Sequence, residues 1–142
     1  MVRRLDLLNL DQFLQLWPKL YPLFKASCES NEIAQVDITP NEIYCLVVTG
    51  QCGIFCFTED GEPELVFAIQ FSETNGHKGA EFIALAGRKL MLVRDLYWQH
   101  ILDWLRANGV QFVDACSNER MSKVYKRLLG FERSCILNRK LL

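Results

Sequence analysis

Six cysteines and two histidines are the first groups in this sequence that could do chemistry as a cluster. The cysteines stand at 28, 45, 52, 56, 116 and 135, and the histidines are His77 and His100. A zinc or redox site of the usual kind starts from a C-x-x-C pair, and the sequence has none. Cys45, Cys56, Cys116 and Cys135 sit inside apolar segments, where a free thiol behaves as a small hydrophobe. Buried reduced thiols are therefore expected, with no metal. A second group lies in SNERMSKVYKRLLGF, residues 117–131, which carries Asn118, Tyr125 and the cations Arg120, Lys123, Lys126 and Arg127. These side chains could reach into a site or simply cover a well-made surface helix. Residues 117–142 hold seven basic and two acidic side chains, although the whole chain has net charge −1. Such an end suits a phosphorylated ligand, nucleic acid or an acidic partner, and a solvated helix face explains it more simply.

The elements that must position these residues belong to one globular domain, residues 1–142. Half the residues are hydrophobic and 23% are charged, enough to bury a core. The N-terminal MVRRLDLLNLDQF is interrupted by Asp6 and Asp11, unlike a signal peptide. The longest apolar runs, such as IYCLVV at 43–48, fall far short of the roughly 20 residues that a membrane helix needs. The expectation is a soluble, cytoplasmic protein without a membrane partner. A pI near 6.1 and the lack of a recognisable motif argue against nucleic acid.

The first third reads as helical. Asp11 can cap a short helix carrying Phe13, Leu14 and Trp17, which Pro18 and Pro22 should break or kink. In TPNE, Thr39 is the cap, Pro40 takes the first helical position and Glu42 completes a capping box; the helix should stop near Gly50. The period then changes. Strand-like runs around Asp60-Gly61 and Asn75-Gly76 predict a three-stranded antiparallel meander at about 53–58, 63–73 and 80–86, with loops longer than ideal two-residue hairpins. Leu92, Leu96, Tyr97, Ile101, Trp104 and Leu105 form the apolar face of a helix ended by Asn108-Gly109. VQFVDAC (110–116) then reads as a strand parallel to the one before that helix. Ser117 or Asn118 can cap a further helix with the stripe Met121, Val124, Tyr125, Leu128 and Leu129. Gly130 supplies its left-handed stop, and a last strand is expected at about 132–138.

Helices, meander, strand–helix–strand crossover, capped helix and final strand resemble the GNAT N-acetyltransferase fold over about residues 40–138. That is an α/β domain with a mixed sheet and helices on both faces. The residues that carry the resemblance most specifically are Gly109, VQFVDAC, Asn118, Tyr125 and Gly130-Phe131. Two departures stand beside them. The turn expected at Leu92-Val93-Arg94 has none of the family's glycines, and Tyr125 lies five residues before Gly130, where four is commoner.

The resemblance implies acetyl-CoA in a wedge between AEFIAL (80–85) and VQFVDAC, with its pantetheine amides bound as an added strand would be. Its pyrophosphate would lie at the start of the crossover helix, against Arg88, Lys89, Leu90, Met91, Leu92 and Arg94. Asn118 would hold the cofactor side of the site, and Tyr125 would protonate the departing thiolate. Glu81 is the candidate general base for an attacking amine, with Glu73 and His77 behind it. On this reading the chain is an acetyl-CoA-dependent N-acetyltransferase acting by direct attack of a small-molecule or protein amine. A second reading is a catalytically silent GNAT-fold structural or binding protein with protein partners. Short chains without the glycine turn resemble GNAT-like proteins of tailed phages, some of them virion components.

Overall fold

The computed structural model describes residues 1–28, 38–116, 119–134 and 140. Its centre is one five-stranded sheet in the order β1 (Arg3–Leu7), β2 (Gly53–Glu59), β3 (Glu62–Thr74), β4 (His77–Gly87) and β5 (Phe112–Ala115). Strands β1 to β4 are antiparallel neighbours, and β5 runs parallel to β4. Helices α1 (Leu10–Cys28) and α2 (Pro40–Val48) cover one face; α3 (Leu90–Ala107) covers the other.

Alternation along the strands builds both cores. Ile54, Cys56, Val66 and Ala68 point to α1 and α2, where they meet Phe13, Leu20, Phe24 and Ile43. Phe55, Phe67 and Ile69 point the other way, against Ile101 and Leu105 of α3. Both hairpins turn on two residues. Asp60-Gly61 has φ of 50° and 81°, and Asn75-Gly76 has 52° and 79°. Positive φ at both central residues is the type I′ turn, so the longer loops expected from the sequence are replaced by tight ones.

The N-terminal segment departs from the all-helical reading, because residues 3–7 form an edge strand paired with β2 from Arg3↔Glu59 to Leu7↔Phe55. Helix α1 is capped by Asn9 and not by Asp11: Asn9 Oδ1 accepts from the Gln12 N–H (2.8 Å), and Gln12 Oε1 accepts from the Asn9 N–H (3.0 Å). The helix then runs through both prolines without ending. Pro18 and Pro22 are exposed and one turn apart, and the carbonyls that lose their usual helical donor to them belong to Leu14 and Pro18, also on the exposed face. That face is open to solvent, while Phe13, Leu20 and Phe24 hold the opposite face against the sheet. The α2 start is as expected, with Thr39 Oγ1 accepting from the Glu42 N–H at 3.2 Å.

The thiols divide differently from the expectation. Cys52 and Cys56 are buried, whereas Cys45 and Cys116 are exposed and Cys28 is half-buried; none of the five forms a disulfide among the described residues. Cys45 stands on the outer face of α2, and Cys116 follows the end of β5. No group of three or more His, Cys, Asp or Glu able to hold a metal exists among the described residues. No helix among them is long and apolar enough to cross a membrane.

Helix α4 (Glu119–Val124) continues into a π-helical turn, Tyr125–Leu129, that ends at Gly130 with φ 76°. Residues 131–134 are not in a strand. The remainder of the expected last strand, Cys135 and the expected cap at Ser117 or Asn118 lie outside the described residues.

Candidate functional site

The parallel pair β4–β5 is short. Its register runs from Gly79↔Phe112 to Phe82↔Ala115, and β4 then continues to Gly87 without a β5 partner among the described residues. A bulge falls at the parting point: Ala68 pairs with Ala84 and Ile69 with Phe82, so Ile83 is extra. The extra residue resets the alternation, placing Phe82 and Leu85 on the same α3-facing side. The last turn of α1 closes on this stretch, with Ser27 Oγ donating to the Leu85 carbonyl at 3.0 Å.

Between this part of β4 and α3 lies an apolar cleft lined by Phe82, Leu85, Leu90, Arg94, Trp98 and Leu129, among others. Its free volume is about 10 Å³, room for a single water. Aromatic rings fill its surroundings. Phe82 and Trp98 are 6.0 Å apart, Phe131 lies 6.1 and 6.2 Å from them, and Tyr125 packs on Phe131 at 5.4 Å. Tyr125 is 7% exposed, and burial pushes its phenol up to about 12. A phenol held at that value is a weaker proton donor than an ordinary tyrosine.

The start of α3 is built by the β2–β3 hairpin. A bulge opposite Phe57 and Thr58 leaves Glu64 unpaired, and its carbonyl accepts the Arg88 N–H at 2.7 Å. Gly87 makes that approach possible: its φ is +113°, and a Cβ there would sit 2.2 Å from the same carbonyl. Lys89 follows in the left-handed region at φ 71°, and no side chain among the described residues caps the helix. The amides of Leu90, Met91 and Leu92 form its first turn.

The cations at this point have carboxylate partners. Lys89 Nζ pairs with Glu59 Oε1 and lies 4.0 Å from Glu64 Oε1. Glu59 is only 5% exposed and also takes Arg3 Nε at 3.2 Å. Arg88 lies 3.4 Å from Glu64 Oε2, a buried oxygen that has no hydrogen-bond partner among the described residues. Arg94 lines the cleft but pairs with the adjacent Asp95 at 2.8 Å. The sequence reading missed Glu59, Glu64 and Trp98. The signal for the two acids was present: antiparallel pairing sets the start of β3 beside the end of β4, as Leu65↔Gly87 does.

The remaining candidates are scattered. Glu81 is half-buried on the face of β4 opposite Phe82, with its Oε1 3.9 Å from Cys116 Sγ. Glu73 and His77 are at the far hairpin, where His77 Nδ1 lies 2.6 Å from Gln111 Oε1. His77 and Gly87 stand at the two ends of β4, ten residue steps or roughly 30 Å of strand apart, so neither group shares a site with Lys89. Asn118 lies outside the described residues.

No family model and no curated protein matches the sequence. Solved structures do. An acetyltransferase from Trypanosoma brucei matches with TM-score 0.70 at 15% identity, covering 99% of this chain and 100% of that chain. A GNAT family acetyltransferase from Staphylococcus aureus matches with TM-score 0.67 at 11% identity, covering 100% of both chains. An aminoglycoside acetyltransferase from an uncultured soil metagenomic sample, in complex with sisomicin, matches with TM-score 0.70 at 11% identity, over 99% of this chain and 96% of that chain. The fold is that of the GNAT acetyltransferases.

Within a GNAT fold, the resemblance puts pantetheine in the β4–β5 gap and pyrophosphate at the start of α3. Of the groups that would meet acetyl-CoA there, the first-turn amides of α3 have no side-chain cap among the described residues, whereas the side chains nearby are engaged. The cleft beside the gap has room for one water, and the nearby cations Arg88, Lys89 and Arg94 are paired with carboxylates. The extra residue between Tyr125 and Gly130 does fit the fold. The π-helical turn absorbs it, so that Tyr125 still faces Phe131.

Proposed function

We propose that this GNAT-fold chain works as a binding or structural module with protein partners and does not transfer acetyl groups. The observation that supports this reading is the aromatic packing beside the β4–β5 gap: Phe82 and Trp98 line a cleft of about 10 Å³, Phe131 packs on both, and Tyr125 packs on Phe131. A pantetheine arm that reached from the gap into this cleft would have to displace rings that belong to the core. Tyr125, with its phenol pushed up to about 12, is a poor acid for a departing thiolate. Exposed apolar side chains at Leu10, Leu14 and Tyr21 follow helical spacing along α1 and suit a protein partner. The test is a thiol-release assay with acetyl-CoA and a panel of amines, including an aminoglycoside and a hexosamine phosphate. Release at the rate of the protein-free blank is expected, and amine-dependent release would reverse the reading.

A second reading, the N-acetyltransferase, rests on a separate observation. Beyond Phe82, β4 carries an edge without a β5 partner among the described residues, and the first-turn amides of α3 have no side-chain cap there. An added strand-like ligand and an anion would use such groups. On that reading Glu81 would act as base for the amine. Tyr125 would act as acid, Asn118 would hold the cofactor side, and the 88–94 segment would hold the phosphates.

A further inference from the structure

We infer that the chain pairs with a second copy of itself along the outer edge of β1, so that two five-stranded sheets join into one across a two-fold axis at Leu5. This edge lies at the far side of the sheet from the β4–β5 gap, and the pairing is independent of whether the chain transfers acetyl groups.

Strand β1 has β2 on one side and no strand on the other among the described residues. Its backbone groups alternate in direction. The Val2 carbonyl accepts from the Asp60 N–H at 2.8 Å, and the Leu8 N–H donates to the Ile54 carbonyl at 2.9 Å. With the register running from Arg3↔Glu59 to Leu7↔Phe55, the even-numbered residues bond to β2. Arg3, Leu5 and Leu7 therefore turn their N–H and C=O groups outward, and such a row is a template for one more strand. An antiparallel second copy sets these odd-numbered residues opposite one another.

The side chains then select the register. With the axis at Leu5, each Leu5 faces the other, Arg3 faces Leu7 of the second copy, and Arg4 faces Asp6 of the second copy. Slipping the strands by two residues either way sets Arg4 against Arg4 or Asp6 against Asp6, and like charges directly opposite are unfavourable. Within one chain Arg4 Nη2 is 3.1 Å from Asp6 Oδ1, and Arg4 is still 65% exposed. The even-numbered positions form the non-hydrogen-bonded pairs, whose side chains come closest, so the two ion pairs merge into one cluster of four charges. On the opposite face, where Leu5 packs toward α3, the two Leu5 side chains meet. The stem of Arg3, whose head is held by Glu59 at 3.2 Å, covers Leu7 of the second copy, which is 43% exposed in the single chain. Charges on an edge strand ordinarily repel a further strand. In RRLDL they stand in an order that complements itself when the strand is reversed. The contact is one five-residue strand on each side, smaller than a standard interface of roughly 1,600 Å², so the dimer is a weak one.

The experiment is sedimentation velocity on the full chain, from low micromolar to near-millimolar concentration. The proteins are the wild type, Arg4→Asp and Asp6→Arg, each checked for folding by circular dichroism. The wild type should pass from monomer to dimer within this range. Each single reversal sets like charges opposite at both ends of the cluster and should weaken association about tenfold or more. An equimolar mixture of the two variants should dimerise again, because one copy then carries only acids at these positions and the other only bases. A role of Arg4 and Asp6 confined to one chain would not restore association on mixing. If Asp6→Arg does not fold, Arg4→Asp alone decides, by losing or keeping the wild-type association. A wild type that stays monomeric throughout, a dimer indifferent to Arg4→Asp, or folded variants that remain monomeric when mixed would each overturn the inference. None of these outcomes bears on thiol release, so the non-catalytic reading is judged separately.

Discussion

Tyr125 and Phe131 face each other with ring centroids 5.4 Å apart, and the Phe131 N–H donates to the Tyr125 carbonyl at 3.2 Å. The six-residue reach of that bond is made possible by the π-helical turn between them and by Gly130 in the left-handed region. The pair seats an aromatic plug in the part of the fold where the resemblance puts the thioester.

If Tyr125 is part of the plug, its ring matters and its hydroxyl does not. Tyr125→Phe should change stability by less than about 1 kcal/mol, while Tyr125→Ala should cost about 3–5 kcal/mol through the cavity it leaves. Urea unfolding of both variants measures this. Equal losses in the two would mean that the hydroxyl carries the interaction.

Alkaline pH offers a second check. Burial is the main cause that pushes the Cys52 and Cys56 thiols from 9.0 to about 12 and the Tyr125 phenol from 10.0 to about 12; the Asp6 charge adds to the effect at Cys56. A raised folded-state value means that the folded protein holds its protons longer than the unfolded chain. The contribution is fully present below pH 9 for the thiols and below pH 10 for the phenol, and is lost as pH rises to 12. A tenfold difference in proton affinity between the two states corresponds to roughly 1.4 kcal/mol, so stability should fall steeply as pH rises through this window. Cys56→Ala should flatten the slope of the curve even though it lowers its height. An unchanged slope would place that thiol in contact with solvent.

The two glycines with positive φ near the site should respond differently. Gly130→Ala meets nothing within 4 Å among the described residues and bears the backbone strain of φ 76°, about 1 kcal/mol. Gly87→Ala adds a clash at 2.2 Å with the Glu64 carbonyl to its φ of +113°, and should cost about 3 kcal/mol or more. Thermal melts of the pair test the clamp between β3 and the start of α3. Equal losses would show that the hairpin is free to move away.

Local signals made much of this fold legible. Asp60-Gly61 and Asn75-Gly76 marked the hairpins, Thr39 the α2 cap, Gly130 the helix stop, and the spacing from Leu92 to Leu105 the crossover helix. Strand β1 was not legible, because Leu5 is its main inward apolar contact and its pairing partner lies more than fifty residues away. Helix α1 was misread because the effect of a proline depends on which face its lost bond lies on, and only the packed helix shows that face. At the site, Tyr125 and the 88–94 segment were visible as residues but their neighbours were not. Lys89 meets Glu59 only after β2, β3 and β4 have paired, so a basic loop in sequence became an ion-paired one in space. The π-helical turn is the opposite case: the five-residue spacing to Gly130 announced an extra residue, and helix geometry found room for it.

The most direct test of the account is an acetyl-CoA titration of the wild-type protein by calorimetry, with desulfo-CoA run beside it. The packed aromatic cleft and the paired cations call for no binding heat from either ligand up to millimolar concentration. Micromolar binding of acetyl-CoA, weakened in desulfo-CoA, would mean that Phe82, Trp98, Tyr125 and Phe131 part to admit the thioester, and would contradict the account.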